Sequence, residues 1–421
     1  MNARALVLRV LARMRHGSLT IVEGGRRHEL GSGLPHAMVH VASPRAWRAL
    51  LRGSRGLAES YVDGLWDSPD VVAVIRVAAR NAGALDRARQ RLTPLREPYQ
   101  RARGALVRNT PRRSRRDVSA HYDLGNELFS LMLDPTMMYS SAYFDRDGMT
   151  LEQASIAKLE LVCSKLDLGP DDHVLEIGTG WGGFALHAAT TRGCRVTTTT
   201  LSNEQREHAT QRLEEAGVAD RVTVLAQDYR ELEGRYDKLV SIEMIEAVGW
   251  KDFGTFFSRC AGLLEPNGAM LLQAITIDDR AYAVERASKS FIRTHIFPNG
   301  CLPSVEVIAR CVARETDLRL THFEDFGLDY AETLRRWRTN LEDHTERLAA
   351  LGYDERFRRL WRMYLSYCEA GFAERRIGVA QAVLAKPRWG AQRQRASRRV
   401  SAPPYSLAAS STSAGAGTQA S

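Results

Sequence analysis

The chain has 421 residues, 44% hydrophobic and 26% charged, a globular profile with room for two or three domains. No run approaches the ~18–20 apolar residues that cross a bilayer, and arginines interrupt each apolar stretch near the N-terminus, which argues against a spanning helix or a secretory leader. Six scattered cysteines without CxxC or zinc spacing suit a reduced cytoplasm, and a formal charge of +9 suits either a polyanionic partner or a merely solvated basic surface.

Residues 1–83 predict a small α+β unit. "SLTIVEGGRRHEL" predicts a hairpin turning at Gly24-Gly25. "SPRAWRALLRG" predicts a helix capped by Ser43 and ending at Gly53, and "DSPDVVAVIRVAARNAG" a second helix with an Asp or Ser cap and a Gly stop. Residues 84–117 change character, with eleven arginines against three acids between Leu85 and Asp117, broken by prolines. They suit a solvated linker or a patch for phospholipid headgroups, where each arginine would contribute about 1 kcal/mol.

From 118 to 385 strand-like and helix-like runs alternate. "HVLEIGT", "RVTTTT", "RVTVLAQD", "YDKLVSIEMI" and "GAMLLQAIT" predict strands. "WGGFALHAATTR" and "SNEQREHATQRLEEAG" predict helices between them, and "AETLRRWRTNLEDHTERLAAL" and "ERFRRLWRMYLSYCEAGFAERR" long amphipathic helices after them. This alternation predicts an α/β, doubly wound, mostly parallel sheet. Residues 386–421 are small and polar and predict a disordered tail.

The stretch "VLEIGTGWGGFA" runs a strand into a glycine turn and a helix, a nucleotide-type site. A dinucleotide would place its pyrophosphate there, usually on G-x-G-x-x-G. The spacing here is G-x-G-x-G, and Glu176 just before it would repel a pyrophosphate while attracting an ammonium. The second strand ends in "TTTTLSNEQ", without an acid for a ribose; Thr200 and Gln205 can bind ribose hydroxyls and a methionine end. The third ends at Asp228, which can accept from an adenine amino group. The pattern points to S-adenosylmethionine.

Further motifs are "HYDLGNELFSLMLDPTMMYSSAYFD", "EMIEAVG", "FPNGCLPS" and "FGLDYAETLRRW". With "LEIGTGWGG" they resemble the cyclopropane-fatty-acyl-phospholipid synthase family, including its branch that methylates oleoyl phospholipids. The resemblance covers about 118–385, and "GLAESYVDGLWDSPD" looks like that family's small lipid-binding domain. It implies a Rossmann-like class I methyltransferase sheet with a helical lid and C-terminal helices. By position it implies cofactor contacts at Tyr139, Ser140, Gly178, Gly180, Thr200, Leu201, Gln205, Asp228 and Tyr229, beside Glu176. It also implies a bicarbonate base held by Ser141, Glu246, Gln273, Ile275 and Tyr330. The sequence departs from the family at Ser141, where Cys is usual, and at Gln273 and Ala247, where many members have His. Ser and Gln can still donate hydrogen bonds.

The reaction implied is transfer of a methyl(ene) carbon to the cis double bond of an unsaturated phospholipid acyl chain. A carbocation follows, and then a cyclopropane or a methylene or methyl branch. Such a cation needs aromatic faces and shelter from water. Tyr143, Phe144, Phe291, Phe297 and Tyr330 are candidates, each equally readable as core. Glu246 is the expected anchor of the base, or the base itself. His121 suits organisation of a cofactor lid, and His295 either the site or the surface. Leu128, Leu131, Met132, Leu133, Met137 and Met138 suit a mobile apolar lid or a core helix. The expected partners are a bilayer surface bound peripherally, a separate reductase and a second copy in a homodimer, with no nucleic acid. The alternative is a methyltransferase of a small natural product on the same scaffold.

Overall fold

The computed structural model describes residues 2–82, 124–287, 290–298 and 300–390. The arginine-rich stretch, His121 and nearly all of the polar tail lie outside them.

The N-terminal part builds a four-stranded sheet in the order β2-β1-β3-β4 from β1 (Gly17–Glu23), β2 (Arg26–Ser32), β3 (His36–Val41) and β4 (Trp66–Asp67). The expected hairpin is β1–β2, antiparallel with Glu23 opposite Arg26. Gly24 and Gly25 both take positive φ, as a tight two-residue turn requires. The helix expected to run to Gly53 stops at Leu50 and starts at Arg45, one position beyond Pro44, and a separate helix covers Ser54–Val62. Gly56 permits their close crossing, since a Cβ there would lie 1.8 Å from the Ala49 carbonyl oxygen. The helix 71–82 is capped by Asp70, whose Oδ1 accepts from the Ala73 N–H at 2.8 Å.

The second sheet has seven strands in the order β10-β11-β9-β8-β5-β6-β7. These are β5 (His173–Ile177), β6 (Arg195–Thr199), β7 (Val222–Leu225), β8 (Tyr236–Ile242), β9 (Leu264–Ile277), β10 (Arg319–Asp325) and β11 (Ile377–Ala385). β11 runs antiparallel to both neighbours, while β5 pairs parallel with β6 and β8, and β8 with β9. This is the doubly wound sheet expected, extended by two strands that had no sequence assignment. From β5 the chain winds outward through β6 and β7, then returns to β8 and β9 on the other side. The carboxyl ends of β5 and β8 therefore flank a topological switch point, where such sheets bind ligands.

Helices Gly327–Asp343 and Glu355–Ala373 pack together beyond that edge. One apolar cluster runs from Leu19, Trp47, Tyr61 and Trp66 to Phe129, Trp337 and Phe372. Polar ties fix the two parts. Arg359 donates to the Tyr61 and Trp66 carbonyls and to Asp67, and its guanidinium lies 4.1 Å from the Tyr61 ring centroid. Arg76 and Arg80 both pair with Glu374. No helix among the described residues is long and apolar enough to cross a membrane.

Candidate active site

β5 delivers Glu176 to the switch point and ends in the glycine turn. Gly178, Gly180 and Gly182 all take positive φ. At Gly180 a Cβ would meet nothing within 4 Å, because the backbone faces open cavity; at Gly183 a Cβ would lie 2.8 Å from the Thr136 carbonyl oxygen, so the following helix can seat there only as glycine. Glu176 is buried and its Oε2 accepts from the Thr198 hydroxyl at 2.6 Å. Burial pushes its carboxyl up to about 8, against the hydrogen bond from Thr198 and the charge of Lys158.

The cavity in front of this turn has a volume of about 1770 Å³. Every residue expected to contact the cofactor lines it: Tyr139, Ser140, Glu176, Gly178, Gly180, Thr200, Leu201, Gln205, Asp228 and Tyr229. Thr200 donates to Gln205 Oε1 at 2.8 Å, which fixes both at the end of β6. Asp228 is clasped by Arg230, whose Nε and Nη2 each donate at 2.7 Å, so its carboxylate is anchored from one side. The Tyr229 hydroxyl is buried with no partner among the described residues. A buried acid at Glu176, a backbone cradle open at Gly180 and a polar strand end at Thr200 together fit S-adenosylmethionine.

Of the residues expected to bind bicarbonate, Glu246, Ile275 and Tyr330 line the cavity, while Ser141 and Gln273 are fully buried. Three of the five surround another carboxylate, that of Glu243. Its Oε1 accepts from the Ser141 backbone N–H at 2.9 Å and from Gln273 Nε2 at 2.8 Å, and its Oε2 accepts from the Tyr330 hydroxyl at 2.7 Å. The Ser141 hydroxyl instead donates to the Ala142 carbonyl. The Ile275 N–H donates to Glu246 Oε1 at 2.5 Å. The donors read as an anion site are thus engaged with protein carboxyl groups, which leaves a free bicarbonate without their hydrogen bonds. They do not fit that ion.

Glu243 holds φ 51°, left-handed for a residue with a Cβ, at a cost of roughly 1–3 kcal/mol. That turn aims the side chain back at the Gln273, Ser141 and Tyr330 donors, and the strain falls at the cavity wall. Burial raises Glu243, and its three donors and the charge of Lys158 oppose that shift. Glu246 has no such ring of donors. Its Oε2 is buried without a partner among the described residues, and burial together with the neighbouring Glu243 pushes it up to about 8. The environments distinguish two adjacent acids, one held by three donors and one whose second oxygen is buried without a partner among the described residues.

Lys158 was not anticipated. It is fully buried, and its Nζ donates to Ser140 Oγ at 2.7 Å. Burial draws it down to about 8 while Glu243, Asp134 and Glu176 hold it up. The sequence carried a signal for it. It falls on the buried stripe of helix Leu151–Leu166, four residues from both Ala154 and Val162.

Other expectations fare differently. Phe297 and Tyr330 line the cavity, but Tyr143, Phe144 and Phe291 do not. Tyr143 donates to Glu324 at 3.3 Å, Phe144 stacks under Arg336, and Phe291 is core. In place of these three, Tyr364 and Phe372 complete the wall. The Phe372 ring lies 4.4 Å from Tyr330, and the Tyr364 hydroxyl 2.8 Å from that of Tyr139. His295 pairs with Glu59 at 3.1 Å rather than reaching the cavity. Leu128, Leu131 and Met132 are core residues of helix Asn126–Met132, which decides for the core helix over the lid; only Met137 and Met138 of that group touch the cavity.

Residues 109–382 match the family model described as mycolic acid cyclopropane synthetase. The tuberculostearic acid methyltransferase of Mycobacterium tuberculosis is 37% identical over 358 residues, covering 83% of this chain and 83% of that protein. The cyclopropane-fatty-acyl-phospholipid synthase of Escherichia coli is 37% identical over 84% of this chain and 89% of its own length. A crystal structure of a mycolic acid cyclopropane synthase complexed with SAH and CTAB superposes with a TM-score of 0.61 at 33% identity, covering 65% of this chain and 98% of that one. With the glycine turn, the buried acid before it and the paired carboxylates at the next strand end, these likenesses establish that the chain belongs to the mycolic acid cyclopropane synthetase family and is an S-adenosylmethionine-dependent methyltransferase.

Proposed function

We propose that the acceptor is a cis double bond within the acyl chain of a phospholipid, presented by a membrane to which the enzyme binds peripherally. The observation that carries this reading is the continuity of the cavity. From the glycine turn it passes Glu243 and Tyr330 and reaches the apolar interior of the N-terminal part at Leu19, Ile21, Trp47 and Trp66. Its volume of about 1770 Å³ exceeds the roughly 300–1,000 Å³ of an ordinary small-molecule pocket. A long hydrocarbon beside the cofactor fits this shape. The name of the Escherichia coli relative, a cyclopropane-fatty-acyl-phospholipid synthase, agrees with it.

Tyr139, Ser140, Glu176, Gly178, Gly180, Thr200, Leu201, Gln205, Asp228 and Tyr229 would hold the cofactor. When bound, S-adenosylmethionine supplies an electrophilic methyl whose transfer leaves positive charge on an acyl carbon. The chain's own residues manage that charge. The faces of Tyr330, Phe372, Tyr364 and Phe297 stabilise it, and the apolar walls around them limit the water that could trap it. The Glu243 carboxyl, held by its three donors, is placed to attract the cation and, in its charged form, to accept the proton it loses. Tyr330, Gln273 and Ser141 orient that carboxylate, while Glu246 stays protonated against the Ile275 N–H. Loss of a proton from the new methyl closes a cyclopropane; a 1,2-hydride shift onto the cationic carbon, followed by loss of a proton from the methyl, leaves a methylene group, which a separate reductase would convert to a methyl branch.

Methyl-labelled S-adenosylmethionine incubated with dioleoyl phosphatidylglycerol in detergent micelles tests this reading. Gas chromatography of the released fatty acids should show a new labelled ring or methylene peak. Labelling of a soluble amine or phenol with none in the lipid would replace it with the natural-product reading.

A further inference from the structure

The cavity has a second end. In the N-terminal part its lining runs outward from buried Trp47 and Val77, through half-buried Leu11 and Met14, to Val10 and Leu51, which are each 52% exposed. Exposed apolar side chains that continue a buried apolar cavity are uncommon on a soluble protein and mark an interaction surface. The same rim is basic. Arg13, Arg15, Arg52 and Arg80 line it and are exposed. Arg52 and Arg55 share one acid, Glu59, and Arg76 and Arg80 share another, Glu374. Each pair therefore keeps net positive charge. Arg13 and Arg15 form no ion pair among the described residues.

Resting on the lipid reading above, we propose that this rim is the surface on which an anionic phospholipid leaflet docks. The loop after helix Ala3–Leu11 and the turn at Leu51–Gly53 sit in the headgroup layer. Val10 and Leu51 enter the acyl boundary, and the arginines meet lipid phosphates. An acyl chain then passes from the leaflet into the cavity along Leu11, Met14 and Trp47 without crossing water. Two signals act together, a short apolar insertion and a basic ring, as stable but reversible membrane attachment requires.

The test is cosedimentation of the full chain with dioleoyl phosphatidylglycerol vesicles, beside dioleoyl phosphatidylcholine vesicles and free inorganic phosphate. Wild-type protein should prefer the anionic vesicles, with binding weakened by high salt and untouched by millimolar phosphate. R13Q/R15Q should bind the anionic vesicles about 30-fold less tightly. V10S/L51S should lose about tenfold on both vesicle types. All four positions are exposed, and unchanged calorimetric binding of S-adenosylmethionine would report that each variant is folded. If both variants bind anionic vesicles like wild type, or phosphate competes fully, the docking face is overturned. Wild-type labelling of micelle-dispersed lipid separates the two ideas. Labelling with unaltered vesicle binding by the variants removes the face and leaves the lipid acceptor; no labelling at all removes both.

Discussion

The two halves of the cavity are built in different ways. The cofactor half is made largely of consecutive residues at the ends of neighbouring strands: Glu176 to Gly180 at the end of β5, Thr200 to Gln205 after β6, Asp228 and Tyr229 after β7, joined by Tyr139 and Ser140 from earlier in the chain. The acceptor half is assembled from elements far apart in the chain. Glu243 meets Ser141, Gln273 and Tyr330 across separations of 102, 30 and 87 residues, and the N-terminal part supplies the far wall. Linear motifs can encode the first kind of site. The second exists only after folding, and there a positive-φ turn decides which of two acids is ringed by donors.

Substitutions in the two halves should separate binding from chemistry. The largest effect is expected at Glu243. Glu243→Gln should lower kcat by about 10²–10⁴-fold, with the calorimetric affinity for S-adenosylmethionine nearly unchanged. A smaller effect belongs to the cofactor half. Glu176→Gln should weaken S-adenosylmethionine binding by roughly 10- to 100-fold, the loss of a charge-assisted contact of ~1.5–3 kcal/mol. Binding should also release protons below about pH 8, where Glu176 is still protonated in the free enzyme. Calorimetry in buffers of different ionisation heat reads that directly. A pH-independent affinity between 6 and about 8 would contradict the ammonium contact assigned to Glu176.

Tyr330→Phe removes one donor from Glu243 and should cost up to about tenfold in kcat. Because that donor favours the charged carboxylate, its loss should also move the acidic limb of the kcat profile to higher pH. A lowered kcat with an unshifted limb would make Tyr330 a wall residue only. The smallest effect concerns stability. Folded Glu246 keeps its proton up to about 8, whereas the unfolded side chain releases it near its ordinary value of 4.5. Between those values the unfolded chain binds fewer protons, so stability falls as pH rises through the window and levels off above it. Glu246→Gln should flatten this part of the slope, seen as a higher Tm at pH 8.5 relative to wild type, with little change at pH 5.

The same contrast explains what was legible in the sequence. Strands β5 to β9 stand out because apolar runs alternate with helical periods and end in turn residues. β11, "IGVAQAVLA", follows a helix with no such punctuation, and β10 is an exposed edge strand whose alternation is weak. The helix at Ser54–Val62 hides behind Gly56, which resembles a breaker but serves a close helix crossing. In the site, Glu243 stands in the quoted "EMIEAVG", yet the family resemblance directs attention to Glu246. Nothing in that string signals the left-handed backbone at Glu243. Lys158 could have been found, since a lysine on an otherwise apolar helical stripe asks what neutralises it.

On the reading proposed above, the Glu243 carboxyl takes the place of a free anion at the acceptor end of the cavity. The most direct measurement is the rate of methyl transfer to micelle-dispersed dioleoyl phosphatidylglycerol against bicarbonate concentration, in carbon dioxide-depleted buffer, for wild type and Glu243→Gly. The wild-type rate should not depend on bicarbonate, and the variant should be nearly inactive without it. A wild-type rate that rises from near zero as bicarbonate is added would show that Glu243 does not replace the free ion.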